Sequence, residues 1–298
     1  MKVFVTGTSG YIGGSVAMGL VTAGHEVRGL VRRPESVDAH SKAGIVPVVG
    51  TLDNAELLGE HANWADATIN AASSDHFWAA HALIESLTGT GKTLIHTSGS
   101  SIVGDDAAGQ FASEKIFADD MPFDMLLNRS PRNEIDRLVR SAGIFRGVRT
   151  AVICPTMVYG QGTGEKADSD QIPKMRRKSA EVGAGVYIGE GKNIWSNVHI
   201  ADLVDLYMLA LERAPSASFY FAESGELTLR EVAEAVSHSL GLGGKTQSWH
   251  VDDAVAELGL WPRIALGTNS RVRATNARRA LGWKPRQASL AVTVSANL

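Results

Sequence analysis

The sequence is poor in cysteine and proline. It contains one cysteine, Cys154, and nine prolines among 298 residues. A single cysteine cannot form an internal disulfide, and no cysteine cluster is available to bind zinc or an iron–sulfur centre. We therefore expect a cytoplasmic protein without a metal site. Because proline is scarce, the 31 glycines do not belong to a proline-rich disordered tract and should mark turns and close backbone approaches.

The chain also lacks a long apolar run and a strong excess of charge of either sign. The apolar stretch at 203–211 is interrupted by Asp205, so no membrane span is predicted. The N-terminal segment runs into glycines after a few apolar residues, which is not the pattern of an export signal. The 29 Lys and Arg residues nearly balance the 32 Asp and Glu residues, for a net charge of −3. Binding to nucleic acid or to an anionic membrane is therefore disfavoured.

Alternating strand and helix patterns occupy the first half of the chain. Runs of β-branched and apolar residues predict strands, and apolar residues at helical spacing predict helices. The predicted strands are at 2–6, 26–31, 45–49, 67–71, 92–97 and 148–153, and the predicted helices follow the first strand and occupy 55–61, 77–87 and 134–141. Strands that alternate with helices, without hairpin turns, pair in parallel. The predicted fold class is α/β, with a Rossmann-type doubly wound parallel sheet.

Three glycines lie between the first predicted strand and the first predicted helix. Gly7, Gly10 and Gly13 belong to the segment Thr-Gly-Thr-Ser-Gly-Tyr-Ile-Gly. A helix N-terminus presents unpaired backbone N–H groups and the positive end of the helix dipole, and side chains here would keep a pyrophosphate away from them. A tight turn without a ligand is the alternative. The position directly after a strand favours dinucleotide binding.

The end of the second predicted strand carries Arg32 and Arg33. An acidic residue there would bind a ribose 2′-hydroxyl and repel a 2′-phosphate, whereas guanidinium groups suit a phosphate monoester. The sequence therefore favours NADP(H). A solvated arginine pair on an edge loop is the alternative.

The sequence pattern changes after Pro155, where a glycine-rich, charged segment is followed by weaker strand signals. A strong amphipathic helix is predicted at 199–212, and a capping box of Thr228 and Glu231 predicts a helix start. We expect a smaller C-terminal substrate domain. The predicted boundaries are a dinucleotide-binding domain at 1–158 with 194–222 added to it, and a substrate-binding region at 159–193 and 223–298.

Four segments, in order, resemble a known family. They are Val-Thr-Gly-Thr-Ser-Gly-Tyr-Ile-Gly at 5–13, Ile-His-Thr-Ser-Gly-Ser-Ser-Ile-Val-Gly at 95–104, Cys-Pro-Thr-Met-Val-Tyr-Gly at 154–160 and Asn-Val-His-Ile-Ala-Asp-Leu at 197–203. The chain resembles the extended or atypical short-chain dehydrogenase/reductase superfamily, in its epimerase/dehydratase group. The resemblance covers nearly all residues and is specific for fold and cofactor, and much less so for the reaction.

The resemblance also implies which residues contact the cofactor. Thr51 and Leu52 would lie by the adenine, although many members have Asp where this chain has Thr51. Ala71, Ala72 and Ser73 would line a ribose. Together with the glycines and arginines above, the predicted cofactor-binding residues are Gly7, Ser9, Gly10, Tyr11, Ile12, Gly13, Arg32, Arg33, Thr51, Leu52, Ala71, Ala72, Ser73, Thr97, Arg132, Pro155 and Thr156.

The usual catalytic pair of this superfamily is missing. Members commonly use a Tyr with a Lys four residues later, and none of the five tyrosines here has that lysine. One alignment register places Asn128 and Arg132 at the two positions, and the other places Asn133 and Arg137 there. In both registers an asparagine replaces the tyrosine, so its phenol is absent. An arginine can bind ribose hydroxyls, but it stays charged and cannot transfer a proton.

Three further residues are candidates for the chemistry. Ser98 and Ser100 flank the position of the usual substrate-binding hydroxyl, although both could simply satisfy a turn. The resemblance implies that Pro155 and Thr156 lie against the nicotinamide. Tyr159 is the phenol closest to them in sequence, with a packed aromatic role as the alternative. His199 more simply caps a helix.

These features predict an NADP(H)-dependent oxidoreductase that transfers a hydride to or from a carbonyl or conjugated alkene of a small organic substrate. Two alternatives stay open. One is a non-redox epimerase, dehydratase or lyase with a bound nucleotide, and the other is a catalytically silent nucleotide sensor. We expect no nucleic-acid or membrane partner, and a homodimer is an expectation based on relatives, which are often dimers.

Overall fold

The computed structural model describes residues 1–122 and 130–296. In chain order its strands and helices are β1 (Lys2–Thr6), α1 (Tyr11–Thr22), β2 (Glu26–Val31), α2 (Val37–Lys42), β3 (Ile45–Val49), α3 (Ala55–Trp64), β4 (Ala67–Asn70), α4 (Phe77–Leu87), β5 (Thr93–Thr97), β6 (Phe117–Ala118), α5 (Ser130–Phe145), β7 (Arg149–Pro155), β8 (Met157–Tyr159), α6 (Gln171–Val182), β9 (Gly185–Ile188), β10 (Ile194–His199), α7 (Ile200–Arg213), β11 (Ser218–Ala222), β12 (Gly225–Thr228), α8 (Leu229–Ser239), β13 (Thr246–Trp249), α9 (Val251–Leu258), β14 (Val272–Arg273), α10 (Thr275–Leu281) and α11 (Leu290–Ser295).

Seven parallel strands form the central sheet, in the spatial order β11-β7-β5-β4-β1-β2-β3. The chain runs outward from β1 to β3 and then returns to β4 on the other side of β1. This reversal is the topological switch point, where a crevice opens beyond the carboxyl ends of the strands. The predicted Rossmann-type doubly wound sheet is confirmed.

The inner strands of this sheet are largely buried runs of apolar and β-branched residues, whereas the edge strand β3 exposes Val46 and Val49. Every residue of β4 and β5 is buried, and only the first residue of β1 is exposed. Such continuous burial is expected for a parallel sheet covered on both faces. Among the covering helices, α1 packs against α7, and α4 packs against both α3 and α5.

Most predicted elements occur with small shifts of their ends. The largest difference is α5, which we predicted only at 134–141 and which spans Ser130–Phe145. Its buried residues Ile135, Val139 and Ala142 continue the helical spacing past the predicted end. The capping box of Thr228 and Glu231 is present at the start of α8.

A second, smaller core lies in the C-terminal half. Strand β10 pairs in parallel with β8 and antiparallel with β12, and β13 pairs with β9. Helices α6 and α8 pack against β9 over a cluster that includes Met175, Ile188 and Trp195. Residues 272–283, which we assigned to the substrate region, instead pack on the first core through Val272, Leu281 and Trp283. The division into two domains stays a proposal, with this stretch moved to the first.

Within 1–122 and 130–296, no helix is long and apolar enough to cross a membrane. In the same ranges, no group of three or more His, Cys, Asp or Glu side chains could hold a metal ion.

Candidate functional site

The turn between β1 and α1 requires glycine at two positions. Gly7 has a φ of +77°, and a Cβ there would lie 2.6 Å from the Cα of Ala72. A Cβ on Gly13 would lie 2.4 Å from the carbonyl oxygen of Gly7. The left-handed backbone and these contacts exclude larger residues, so the start of α1 sits close against the ends of β1 and β4.

The first turn of α1 has no side-chain cap. Its N-cap residue is Gly10, and no side chain among the described residues caps the N–H groups that follow. These groups lack partners within the helix and carry the positive end of the helix dipole. Gly10, Tyr11, Ile12 and Gly13 all line a cavity. The uncapped helix start therefore fits the pyrophosphate of a dinucleotide.

Two adjoining cavities meet at this helix start. We call the first, of about 580 Å³, the arginine cavity; it is lined by Gly7, Ser9, Gly10, Leu30, Arg32, Arg33, Thr51, Leu52, Asp53, Ala71, Ala72, Ser73, His76 and Lys166. We call the second, of about 430 Å³, the serine cavity; its lining includes Gly10, Tyr11, Ile12, Gly13, Ala71, Ala72, Ser98, Gly99, Ser100, Ser101, Arg132, Pro155, Thr156, Lys166, Trp195 and Trp261. They adjoin at Gly10, Ala71, Ala72 and Lys166, which line both, and we call the two cavities together the passage.

This passage contains all but one of the predicted cofactor residues. The exception is Thr97, which is buried and shares a 2.6 Å hydrogen bond with the hydroxyl of Tyr207. At the centre of the passage, Thr6 accepts hydrogen bonds from the N–H groups of Ala71 and Ala72, at 3.1 and 3.2 Å. The same hydroxyl donates to the amide oxygen of Asn70. These bonds fix the end of β4 beside the glycine turn.

The two predicted arginines differ in their surroundings. Arg33 lies 3.4 Å from the carboxylate of Glu165, which also accepts a 3.0 Å hydrogen bond from the Ser36 hydroxyl. Arg32 is exposed and makes no hydrogen bond or ion pair within the described part of the chain. Arg32 is therefore the guanidinium whose donors are all available to an anion.

Residues 160–170 form a strap across the start of α1. The hydroxyl of Tyr11 donates to the carbonyl oxygen of Gly160 at 2.7 Å, and the N–H of Thr163 donates to the Ser15 hydroxyl at 3.2 Å. This strap carries Lys166, which lines both cavities. Sequence reasoning missed Lys166, because nothing local shows that a segment so distant in sequence folds over the glycine turn.

Three serines after β5 line the serine cavity, and each has a different partner. Ser98 donates to the Asp136 carboxylate at 2.6 Å, and Ser100 accepts a 2.9 Å hydrogen bond from the hydroxyl of Ser270. Ser101 accepts one from Arg132 at 2.7 Å. Both predicted serines, Ser98 and Ser100, therefore line the cavity.

Arg132 lies at the edge of the serine cavity and is held from two sides. Its Nε and Nη2 atoms donate to the two oxygens of Asp75 at 2.8 and 2.6 Å. This guanidinium holds the pKa of Asp75 below its ordinary value. Arg137, from the other register, is mostly exposed, pairs with Glu134 and does not line the cavity. Asn128 lies outside the described residues, and Asn133 does not line the cavity either.

Tyr159 is placed away from this passage. It is 2% exposed, its hydroxyl donates to the carbonyl oxygen of Ala288 at 2.8 Å, and its ring packs edge-on against His199. It lines a separate cavity of about 240 Å³. As predicted, the side chain of His199 caps a helix, accepting from the N–H of Ala201.

A buried acid and a buried histidine lie behind Ser98. Asp136 and His96 are each 1% exposed, and the Nε2 atom of His96 is 3.8 Å from the Oδ1 atom of Asp136. Burial raises the pKa of Asp136 to about 7 and lowers the pKa of His96 to about 4. Sequence reasoning did not single out either residue as part of the site.

Part of the lining of the serine cavity is apolar. Sequence reasoning also missed the residues that build it, which include Trp195 in β10 and the segment after α9, where Pro262–Leu266 forms a π-helical turn. Such single π-turns occur often at functional sites. The apolar lining consists of Val158, Trp195, Trp261, Ile264 and Ala265.

The chain matches a known family over most of its length. The family model described as NAD dependent epimerase/dehydratase family matches residues 3–220. This chain belongs to that family. The resemblance predicted from the four sequence segments is thus confirmed.

Named relatives support an enzyme of the epimerase, dehydratase and reductase class. Oxidase ucsJ from Acremonium sp is 32% identical, over 95% of this chain and 92% of the relative. The 4-hydroxy-2-methyl-3-oxo-4-farnesyl-3,4-dihydroquinoline-1-oxide ketoreductase from Stigmatella aurantiaca is 25% identical, over 96% and 92%. The solved dTDP-glucose 4,6-dehydratase from Bacillus anthracis, in complex with NAD, has a TM-score of 0.79 at 17% identity, over 99% of this chain and 95% of that chain. At 17% identity, the similarity to this solved structure supports only the fold.

Proposed function

We propose that this protein is an NADP(H)-dependent oxidoreductase that acts on a carbonyl or conjugated alkene of a small, uncharged organic substrate. The observation that carries the proposal is the single passage formed by the arginine cavity and the serine cavity. It has an uncapped helix start at its middle, guanidinium groups at one end, and hydroxyl groups beside an apolar pocket at the other.

We infer a place in the passage for each part of a dinucleotide. The N–H groups after Gly10 would hold the pyrophosphate, and Lys166 would add a positive charge from the strap. The surface of Thr51 and Leu52 would hold the adenine. Pro155 and Thr156 would border the nicotinamide. A bound nicotinamide dinucleotide supplies or accepts the hydride.

The preference for NADP(H) is supported by Arg32 in particular. Its side chain is exposed at the end of β2 and forms no ion pair within the described residues, so a 2′-phosphate would give it a charge-assisted partner. Arg33 is already paired with Glu165 and would contribute less.

The substrate end supports an uncharged, largely apolar substrate. Trp195, Trp261 and Ile264 line it, while Arg132 is engaged by Asp75. A nucleotide sugar would bring a second pyrophosphate that needs positive partners of its own. The ketoreductase name of one relative and the oxidase name of another agree with hydride transfer to or from a small molecule.

Two measurements test the proposal. Titration calorimetry should show NADPH binding about tenfold or more tightly than NADH, because a charge-assisted hydrogen bond contributes roughly 1.5 kcal/mol or more. Absorbance should then show stoichiometric NADPH oxidation with members of a panel of ketones, quinones and enones. Turnover with no net change in NADPH absorbance would indicate the non-redox alternative. Binding without turnover would indicate a nucleotide sensor.

A further inference from the structure

A chain of buried polar groups leads inward from the serine cavity. Ser98 lines the cavity, and its Oγ atom is 2.6 Å from the Oδ2 atom of Asp136. The Oδ1 atom of Asp136 faces the Nε2 atom of His96 at 3.8 Å, and His96 contacts the amide nitrogen of Asn70 at 3.1 Å. Ser98 is thus the described hydrogen-bond partner that connects Asp136 with the cavity.

The hydrogen-bond pattern fixes where the protons lie on His96. The Asn70 amide oxygen accepts from Thr6, so its nitrogen is the donor toward the Nδ1 atom of His96. Nδ1 is then an acceptor, and in the neutral ring the proton is on Nε2, pointing at Asp136. No hydrogen bond is formed there, because both Nε2 and Oδ1 lack a partner within the described residues.

This arrangement favours the neutral acid. An ionised carboxylate would have one buried oxygen without any donor, which is costly, whereas a carboxylic acid carries less charge to desolvate. The charged and titratable groups around Asp136 come from four elements. They are His96 in β5, Arg132 and Arg140 in α5, Cys154 in β7 and Asp75 in the loop before α4.

Two of these neighbours would also stabilise the Asp136 carboxylate that forms during turnover. Arg132 and Arg140 favour the carboxylate, and Asp75 opposes it. Burial raises the pKa of Cys154, so its thiol stays neutral. The His96 Nε2–H group could close the 3.8 Å gap and donate to a carboxylate once one forms.

We propose that Asp136 stores the proton that the missing tyrosine would deliver, and that it passes this proton through the Ser98 hydroxyl to the substrate oxygen. The inference rests on the proposed function, whose reduced nicotinamide dinucleotide is the reductant. The substrate carbon gains the hydride. In the protonated state the Oδ2 atom of Asp136 donates to the Oγ atom of Ser98 across the 2.6 Å contact, which is the reverse of the bond that Ser98 makes to the carboxylate. The Ser98 proton is then free for the substrate oxygen, which takes it, and the broken O–H bond of Ser98 is re-formed with the proton of Asp136. The products are the alcohol, the oxidised dinucleotide and the Asp136 carboxylate, which takes a proton from water through Ser98 after the product leaves.

Three other residues singled out from the sequence do not fit this role. Arg132 stays charged and cannot give up a proton, and the Tyr159 hydroxyl is directed to Ala288 in another cavity. Ser100 lines the cavity, but its hydroxyl is bonded to Ser270 and has no acid behind it.

The first test needs no turnover. Infrared difference spectra between the ligand-free protein and its Asp136→Asn variant should show a protonated carboxyl band that disappears with a midpoint near pH 7. Asp119→Asn is the matched control. Burial raises the pKa of Asp119 to about 6, and its carboxylate binds the N–H groups of Phe221 and Asn276, away from the passage. A carboxyl of Asp136 that is already ionised at pH 5 would overturn the proposal.

The second test uses NADPH with phenanthrenequinone or cyclohexenone as the probe. Asp136→Asn and Ser98→Ala should each lower kcat by about 100-fold or more, the usual contribution of a positioned acid. The KM for NADPH should change little. The wild-type kcat should fall above pH 7 as Asp136 loses its proton, and this fall should be absent from the residual activity of both variants. Asp119→Asn should keep the wild-type kcat and pH profile. Ser98→Ala should also retain the carboxyl band, which separates loss of the proton route from loss of folding.

The outcomes distinguish this inference from the proposed function. If the wild type oxidises NADPH and Asp136→Asn does so equally well with the same pH profile, Asp136 does not supply the proton, and the proposed function is unaffected. If the wild type binds NADPH but oxidises it with no carbonyl or enone, the proposed function is wrong and the inference fails with it.

Discussion

The guanidinium of Arg33 in the loop after β2 lies 3.4 Å from the carboxylate of Glu165 in the strap. This contact joins two segments that are 132 residues apart in sequence. It also places a negative charge beside a guanidinium that lines the arginine cavity. Glu165 therefore competes with the cofactor for Arg33.

Replacing Glu165 by Gln should improve NADPH binding. The substitution releases Arg33 and removes a like charge, so we expect the Kd of NADPH to fall about threefold, since exposed ion pairs contribute up to about 1 kcal/mol. The Kd of NADH should stay unchanged. Calorimetry measures both. Glu212→Gln, which removes the same charge from the exposed pair with Arg213, is the control. Weaker NADPH binding in Glu165→Gln would show that Glu165 supports the site instead.

Arg32 and Arg33 should not be equivalent. Arg32→Ala should raise the Kd of NADPH by about tenfold or more, the effect of losing one charge-assisted hydrogen bond. Arg33→Ala should raise it less, because the ion pair with Glu165 already occupies that guanidinium. Neither variant should alter NADH binding. An unchanged ratio of the two Kd values in the double variant would refute the assignment to NADP(H).

Gly13→Ala should weaken both folding and cofactor binding. The added methyl group would lie 2.4 Å from the carbonyl oxygen of Gly7, so α1 must move away from β1. Overpacking of this kind costs about 1–3 kcal/mol of unfolding free energy. Urea unfolding and NADPH calorimetry measure the two effects. Gly225→Ala is the control, since a Cβ there meets its nearest atom at 3.4 Å. Wild-type affinity in Gly13→Ala would mean that the helix position is not critical.

The sequence predicts the sheet and the cofactor end of the passage because both depend on local patterns. The runs of β-branched residues define β1 to β5, and Gly7 to Gly13 follow directly on a strand. The substrate end is different. The Ser98–Asp136 bond joins residues 38 apart, and Ser100 meets Ser270 across 170 residues. Trp261 reaches the cavity from the residue just before a π-helical turn that no periodicity indicates. Such contacts depend on how distant segments pack.

The pair of His96 and Asp136 also makes a prediction for stability. Burial raises the pKa of Asp136 from an ordinary value near 4 to about 7 and lowers that of His96 from 6.5 to about 4. Between pH 4 and 6.5 the folded state keeps a proton on Asp136 that the unfolded state loses, so this group makes the unfolding free energy fall with rising pH. His96 is neutral when folded and protonated when unfolded, so it makes the unfolding free energy rise. The two slopes offset each other in the wild type.

In the Asp136→Asn variant, the pH dependence of the unfolding free energy that is due to His96 should no longer be offset. Compared with the wild type, its unfolding free energy should rise by up to about 1.4 kcal/mol more per pH unit between pH 4 and 6.5, which is the value for one proton. His96→Asn keeps an acceptor for Asn70 and should show the opposite slope, with stability lost up to about pH 7. The double variant should again follow the wild type. Urea unfolding at several pH values gives these slopes, and parallel curves for the wild type and Asp136→Asn would mean that Asp136 is ionised in the folded protein.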